Sequence, residues 1–158
     1  MATSKSNDSD AFAAALRVLT RQDRSEAELR SKLKQFGFSA SVIDQAVEQC
    51  QDYNYLDDQR YALERAKALF RSGRGVGHKV LLDLRRRGID ETTASQALAE
   101  VSREFETAAL LREQLQRRFP DFSYASADER QRRRVISYFQ RRGFLLGEIF
   151  QVIKQKQE

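Results

Sequence analysis

The residues that could perform chemistry are few and isolated in the sequence. Cys50 and His78 are the only cysteine and the only histidine, so they cannot build a Cys/His zinc site. We predict that Cys50 is a packing residue and that His78 lies partly exposed at the start of a helix. The adjacent carboxylates Asp57 and Asp58 could bind a metal or act as an acid–base pair. They precede an amphipathic segment, however, where acidic side chains cap a helix and stabilise its dipole. We therefore predict a capping role, with no catalytic residue, metal or cofactor.

Two other features invite a nucleotide or nucleic-acid interpretation. The glycine-containing segment 73–77 lacks the G-x-x-x-x-G-K-[ST] pattern of a phosphate-binding loop and follows no strand. This argues against a nucleotide site. Tyr53, Tyr55 and Tyr61 cluster at the junction where an amphipathic segment begins, and we predict that they pack in the core or between units rather than stack on bases.

The composition indicates helices with solvated faces. Of 158 residues, 41% are hydrophobic and 32% charged, with one proline and seven glycines. No apolar run is long enough to span a membrane, and the polar residues 1–10 do not resemble a signal peptide. With a single cysteine, the chain fits a reducing compartment. We therefore expect a cytoplasmic protein with a disordered N-terminus.

Three glycines mark a repeated pattern along the chain. Gly37, Gly88 and Gly143 each end a segment of helical periodicity and lie 51 and 55 residues apart. Apolar residues recur at fixed distances around each glycine. This agreement predicts a unit of helix, glycine and helix, with the glycine in the left-handed conformation that ends a helix. The matching residues are Leu29, Leu33, Phe38, Ala46 and Val47; Val80, Leu84, Ile89, Ala97 and Leu98; and Val135, Phe139, Phe144, Val152 and Ile153.

Capping signals and a preceding helix complete each unit. Ser25 with Glu28 has the S-x-x-E form of a capping box, and Ser126 with Glu129 has the same form ahead of the third glycine. Asp90 is predicted to cap the helix after the second glycine. We predict an all-α chain of three tandem three-helix repeats. The predicted divisions are a disordered N-terminus over 1–10 and repeats over 11–56, 57–103 and 104–158, whose first helices cover about 12–20, 58–72 and 105–119.

Basic residues are concentrated in the second and third repeats. Residues 1–59 carry seven basic and ten acidic side chains, whereas residues 112–158 carry eleven basic and six acidic ones. The net charge is +5 and the isoelectric point is near 9.6. Such a balance favours an acidic partner: nucleic acid, an acidic protein surface or anionic lipid.

Two repeats place basic residues at matching positions. Nine and two positions before the glycine stand Lys79 and Arg86 in the second repeat, and Arg134 and Arg141 in the third. These positions face away from the apolar stripe of each helix. The alternative is a solvated surface whose charges pair with Glu64, Asp83 or Glu129. The predicted anion-binding residues are Arg71, Arg74, Lys79, Arg86, Arg134 and Arg141.

The segment 81–98 has the helix, glycine turn and helix of a DNA-binding helix-turn-helix. In that motif the second helix carries the side chains that read bases. Here it carries Asp90, Glu91 and Glu100, and no Lys or Arg stands between Ile89 and Val101. Base reading by this helix is therefore disfavoured. Contact with phosphates or an acidic surface through the preceding helix fits better.

Over about residues 13–153, the sequence resembles that of the RecX family of recombinase regulators. In the middle repeat it matches the family's Y-L-D-D-x-[RE]-[FY]-A signature, then R-x-x-x-G and a basic helix that ends in L-x-x-x-G-I. The first repeat also resembles its counterpart in the family, and the third does so less closely. Val76, His78 and Val80 depart from the residue types expected in the family. The matching residues are Tyr55, Leu56, Asp57, Asp58, Arg60, Tyr61, Ala62, Arg71, Gly75, Lys79, Leu84, Gly88 and Ile89.

The resemblance implies an elongated, curved array that binds in the groove of the RecA–DNA filament and inhibits RecA. Single- or double-stranded DNA would then be a weak or RecA-dependent partner, and the protein a monomer. We expect the basic residues to form a discontinuous stripe along the concave side, where Lys32 and Lys34 of the first repeat matter less. Two alternatives remain: a stand-alone nucleic-acid-binding or scaffold protein, and a hydrolase that uses Asp57 and Asp58 without an evident third ligand or base.

Overall fold

Nine helices and no strand make up residues 4–155, the part of the chain that a computed structural model describes. Side chains are described from residue 7 onwards. The all-α prediction is confirmed. The helices are α1 Ser4–Arg21, α2 Glu26–Gln35, α3 Ala40–Asp52, α4 Asp58–Ser72, α5 His78–Arg86, α6 Glu91–Glu104, α7 Thr107–Arg118, α8 Glu129–Arg141 and α9 Leu146–Ile153.

The helices pack in consecutive groups of three. Helix α1 packs on α2 and α3, α4 packs on α5 and α6, and α9 packs on α7 and α8. We call these groups the first, second and third repeats. The arrangement confirms the predicted tandem array of three-helix units.

Helix ends follow the local signals in the sequence. Gly37, Gly88 and Gly143 adopt φ angles of 93°, 81° and 98°, the left-handed conformation in which a glycine ends a helix without a steric penalty. Ser25 forms the predicted capping box with Glu28. Asp57 and Asp90 cap α4 and α6 through their side chains. These predictions are confirmed.

Two predictions about helix starts are wrong. The capping box of α8 is formed by Asp128 and Gln131, not by Ser126 and Glu129, because the helix begins at Glu129 and its cap must immediately precede it. The segment expected to be disordered, 1–10, is helical from Ser4. The apolar residues further along α1 establish the helix, and adding turns to an existing helix costs little. Residues 1–3 lie outside the described part.

Two apolar cores stabilise the array. The first repeat has its own core, built around Leu29, Leu33, Val47 and Cys50. The second and third repeats share a single larger core. Leu84 lies at zero exposure within that larger core. The first repeat is therefore joined to the rest of the molecule mainly through its surface.

Successive repeats meet at the ends of their middle helices. The Ser25 hydroxyl, before α2, donates to the backbone carbonyl of Arg87, after α5. Likewise, the backbone N–H of Val76, before α5, donates to the carbonyl of Arg142, after α8, at 2.8 Å. The start of each middle helix thus meets the end of the next one. Helices α2, α5 and α8 follow one another across two joints, which we call the α2–α5 joint and the α5–α8 joint.

The joint glycines leave no room for a side chain. A Cβ built on Gly88 would overlap the Cβ of Ala27, and one built on Gly143 would overlap the backbone carbonyl of Val76. Nothing lies within 4 Å of the corresponding position on Gly37. The repeated glycine therefore ends a helix in every repeat, and in the second and third it also permits close packing between repeats.

Candidate functional site

The repeated basic pairs lie on the outward faces of α5 and α8. Arg86, Arg134 and Arg141 are exposed and Lys79 is half-buried. Seven residues separate the members of each pair, two helical turns that return to the same face. The buried residues of α5 are Val80 and Leu84, and those of α8 are Val135 and Phe139.

Among the described residues, no acidic side chain pairs with these basic residues. Within residues 4–155, none of the six predicted anion-binding residues forms an ion pair. Two of the acids considered as partners bind other arginines. The Asp83 carboxylate forms ion pairs with Arg65 and Arg87, at N–O distances of 2.9 Å and 3.0 Å. The Glu129 carboxylate pairs with Arg133 at an N–O distance of 2.6 Å. The described acidic residues therefore leave the charge of this surface uncompensated.

Arg71 and Arg74 flank the end of α4. Both side chains are exposed, and Gly73 between them ends the helix with φ at 67°. Gln114 of the third repeat covers this turn and donates from its side chain to the carbonyl of Ser72 at 3.3 Å. The third repeat therefore holds the turn that presents the two arginines.

The two members of the α5 pair lie at different joints. Lys79 runs alongside Gly143 at the α5–α8 joint, where a Cβ on the glycine would lie 3.1 Å from its Cγ. This places it close to the chain segment that carries Arg141. Arg86 lies at the other end of the helix, at the α2–α5 joint, where it lines a cavity together with Lys32. Lys32, which we expected to matter less, therefore shares a cavity with the predicted site.

Several residues of the family motif make contacts within the fold. Leu56 is 3% exposed in the first core, and the side chain of Arg60 donates to the carbonyl of Asn54 at 3.0 Å. Gly75 is buried against α4 and has room for a Cβ. Asp58 accepts from the backbone N–H of Glu26 at 2.8 Å. These contacts stabilise the turn before α4 and the α2–α5 joint.

The tyrosines differ from the prediction. Tyr61 is buried, as predicted, and its hydroxyl accepts from the Arg87 side chain at 3.1 Å. Tyr53 and Tyr55 are 62% and 50% exposed and stack on each other with ring centroids 5.8 Å apart. The packing prediction is wrong for these two, which lie at the surface on either side of Asn54, a residue in a left-handed turn with φ at 60°. Tyr53 also lies against Phe12, with ring centroids 6.1 Å apart.

The sequence did not predict the contacts of Arg87. Beyond Asp83 and Tyr61, its guanidinium approaches Glu28 of the first repeat at 3.7 Å. It therefore links two repeats through one side chain. The only sequence signal was its position beside the second glycine, next to the apolar stripe, which does not reveal partners on distant helices.

Burial and neighbouring charges shift the pKa values of two carboxyl groups, those of Asp58 and Asp83, in opposite directions. Burial raises the pKa of Asp58 above its ordinary value, although the hydrogen bond from the Glu26 backbone opposes the shift. Burial acts the same way on Asp83, but the hydrogen bond and charge of Arg65, with the charge of Arg87, outweigh it and hold its pKa below the ordinary value. Asp83 is thus held as a carboxylate between two arginines.

Cys50 and His78 lie in the surroundings that the sequence predicted for them. Cys50 is fully buried, and burial raises the pKa of its thiol; His78 is exposed at the start of α5. Between residues 4 and 155, no group of three or more His, Cys, Asp or Glu residues could hold a metal ion. Over the same range, none of the helices is both long enough and apolar enough to cross a membrane.

Fold and surface together define a helical-repeat protein with an uncompensated basic face. Family profiles described as the first and third three-helix domains of RecX match residues 11–50 and 104–153. Regulatory protein RecX of Syntrophotalea carbinolica is 44% identical over 93% of this chain and 96% of its own length. That of Trichlorobacter lovleyi is 38% identical over 94% and 99%. The chain belongs to the RecX family of regulatory proteins.

A solved structure agrees with this fold. The crystal structure of RecX from Lactobacillus salivarius superposes with a TM-score of 0.76, covering 96% of this chain and 97% of that one. The two sequences are only 22% identical over this alignment. The repeat architecture is therefore retained although most side chains differ.

Proposed function

We propose that this protein inhibits the RecA recombinase by binding in the groove of the RecA–DNA filament, and so modulates recombination, DNA repair and the SOS response. Membership of the RecX family supports the regulatory role. The observation that carries a binding mode is the set of six basic residues without acidic partners among the described residues. The protein would act as a cytoplasmic monomer, without catalysis and without a cofactor.

The mechanism requires no chemistry on the part of this chain. Arginine and lysine side chains on α5 and α8 would meet DNA phosphates together with acidic protein surface. Arginine suits both, because its planar guanidinium donates in pairs to phosphate or carboxylate oxygens. A chain that spans several recombinase subunits would then exclude partner DNA or hold the subunits in an inactive arrangement.

A stand-alone nucleic-acid-binding protein is the second candidate function. The uncompensated charge on α5 and α8 favours it, because phosphate contacts need no recombinase. The discriminating measurement is binding to single-stranded DNA with and without RecA and nucleotide. Binding that is tight only when the filament is present supports the regulator, whereas equal binding in both cases supports the alternative.

The decisive experiment reverses the α5 pair. Lys79→Glu with Arg86→Glu is expected to abolish co-sedimentation with RecA filaments and inhibition of RecA ATP hydrolysis, while circular dichroism stays unchanged. Arg17→Glu with Arg21→Glu is the matched control. It makes the same change in charge at two exposed positions of α1. Lys32 is unsuitable as a control because it lies in the cavity beside Arg86.

Two outcomes would contradict the proposal. Equal loss in both double variants would mean that overall charge, rather than this surface, governs binding. Full inhibition by the α5 variant would mean that apolar contacts carry the interaction. Affinity for the filament should also fall steeply with added salt, since phosphate contacts release counterions.

A further inference from the structure

The α2–α5 joint contains an open cavity of about 360 Å³. One wall is a face of α2 with the segment that precedes it, and the other is the last turn of α5 with the residues that follow it. Arg24, Glu28 and Lys32 lie on the first wall, and Arg85, Arg86 and Arg87 on the second. Five of these six side chains are basic, although the first repeat as a whole is mildly acidic.

Glu28, the one carboxylate among the described residues that line the cavity, is already engaged. Glu28 lies 3.7 Å from Arg24 and 3.7 Å from Arg87. Across residues 4–155, Lys32, Arg85 and Arg86 form no ion pair. Three cations therefore converge on one cavity without compensation.

Arg24, which lines the cavity, also contains a buried donor. The Nε of Arg24 is buried and has no hydrogen-bond partner among the described residues. A buried donor that is left unsatisfied costs free energy. The helix dipole favours basic residues in the last turns of both helices, Lys32 in α2 and Arg85 and Arg86 in α5. It does not explain Arg24, which precedes α2.

We propose that the cavity at the α2–α5 joint binds a phosphoryl group. Its oxygens would accept from Arg24, Arg85 and Arg86 and neutralise Lys32, matching the donor geometry that guanidinium groups offer to phosphate. The source is either a phosphodiester of a nucleic-acid backbone or the phosphates of a nucleotide. Because Arg86 belongs to both sites, this inference rests in part on the proposed function, and it adds the first repeat to the binding surface.

The test uses the full chain without recombinase. Two probes are titrated, a fluorescent oligothymidylate and inorganic tripolyphosphate, which represent the two sources. Lys32→Gln with Arg85→Gln is expected to weaken binding about tenfold or more and to lower the salt slope for the oligonucleotide by about 0.7, since the cavity holds one phosphate and each single-strand phosphate contact contributes about 0.7. The charge-matched control Arg17→Gln with Arg21→Gln should change affinity less than about twofold. A change of that size is too small for the loss of a phosphate contact.

The exchange Lys32→Arg with Arg85→Lys keeps the charge and should retain binding, which separates loss of the site from loss of the fold. Loss of the oligonucleotide alone identifies the backbone as the source, and loss of tripolyphosphate alone identifies a nucleotide. The proposal is overturned if neither probe binds the wild-type chain, or if the cavity variant and the control bind equally. This test contains no recombinase. If the chain binds these probes but does not inhibit RecA in a separate assay, only the proposed function is refuted.

Discussion

The carboxylate of Asp58, in the first turn of α4, accepts a hydrogen bond from the backbone N–H of Glu26, in the first turn of α2. A residue of the second repeat thus satisfies a free N–H at the start of a helix in the first. Its neighbour Asp57 caps α4 itself, accepting from the backbone N–H groups of Gln59 and Arg60. The two adjacent carboxylates therefore stabilise the starts of two helices in different repeats.

Replacing both carboxylates should cost stability and nothing else. Loss of a helix cap costs about 1 kcal/mol, so Asp57→Ala with Asp58→Ala is expected to lower the free energy of unfolding by about 2 kcal/mol. Urea unfolding followed by circular dichroism measures this change. A turnover that disappears in the folded double variant would overturn the interpretation of this protein as a non-enzyme.

The joint glycines offer a comparison between backbone strain and packing. Gly37→Ala should cost about 1–2 kcal/mol, the price of a side chain in a left-handed conformation. Gly88→Ala has the same backbone strain and also forces the new Cβ against Ala27, which adds about 1–3 kcal/mol of overpacking. Urea unfolding of both variants gives the two values. Equal losses would mean that the repeats do not pack closely at this glycine.

Asp83 should make stability depend on acid pH. The pKa of its carboxylate is lowered in the folded state, so its contribution is fully present above the ordinary aspartate pKa and is lost as pH falls through the folded value. Asp83→Asn should cost about 1–2 kcal/mol at neutral pH, and the difference from wild type should shrink below about pH 4. Thermal unfolding at several pH values measures this.

Glu129→Gln is the matched control for this carboxylate. Glu129 pairs with Arg133, but the two side chains are 79% and 76% exposed, and exposed pairs contribute only about 0–1 kcal/mol. Its effect should be small at every pH. A pH dependence in Asp83→Asn no different from that of wild type would show that the two arginines do not hold this carboxylate ionised.

Leu84 tests the shared core. Its side chain is fully buried, and truncation to alanine should lower the free energy of unfolding by about 2–5 kcal/mol. Leu81→Ala on the same helix is the comparison, since Leu81 is only half-buried, and it should cost less. An unchanged melting temperature for Leu84→Ala would mean that α5 buries a different face.

The sequence predicted those features whose cause is local. A glycine that ends a helix, such as Gly88, and a cap such as Asp57 depend on residues within one or two turns. The contacts between Asp58 and Glu26, and the cavity shared by Lys32 and Arg86, join residues far apart in the chain. Their partners depend on how the repeats dock, and no local pattern records that docking.

The separate core of the first repeat predicts that the molecule unfolds as two cooperative units of unequal size. The smaller unit is attached by polar contacts and one close-packed glycine rather than by shared apolar burial. It can therefore open while the larger unit stays folded, as local unfolding proceeds in structural blocks of this kind. A ligand bound between the two units would couple their unfolding, and the amide hydrogens of α2 would exchange more slowly in its presence.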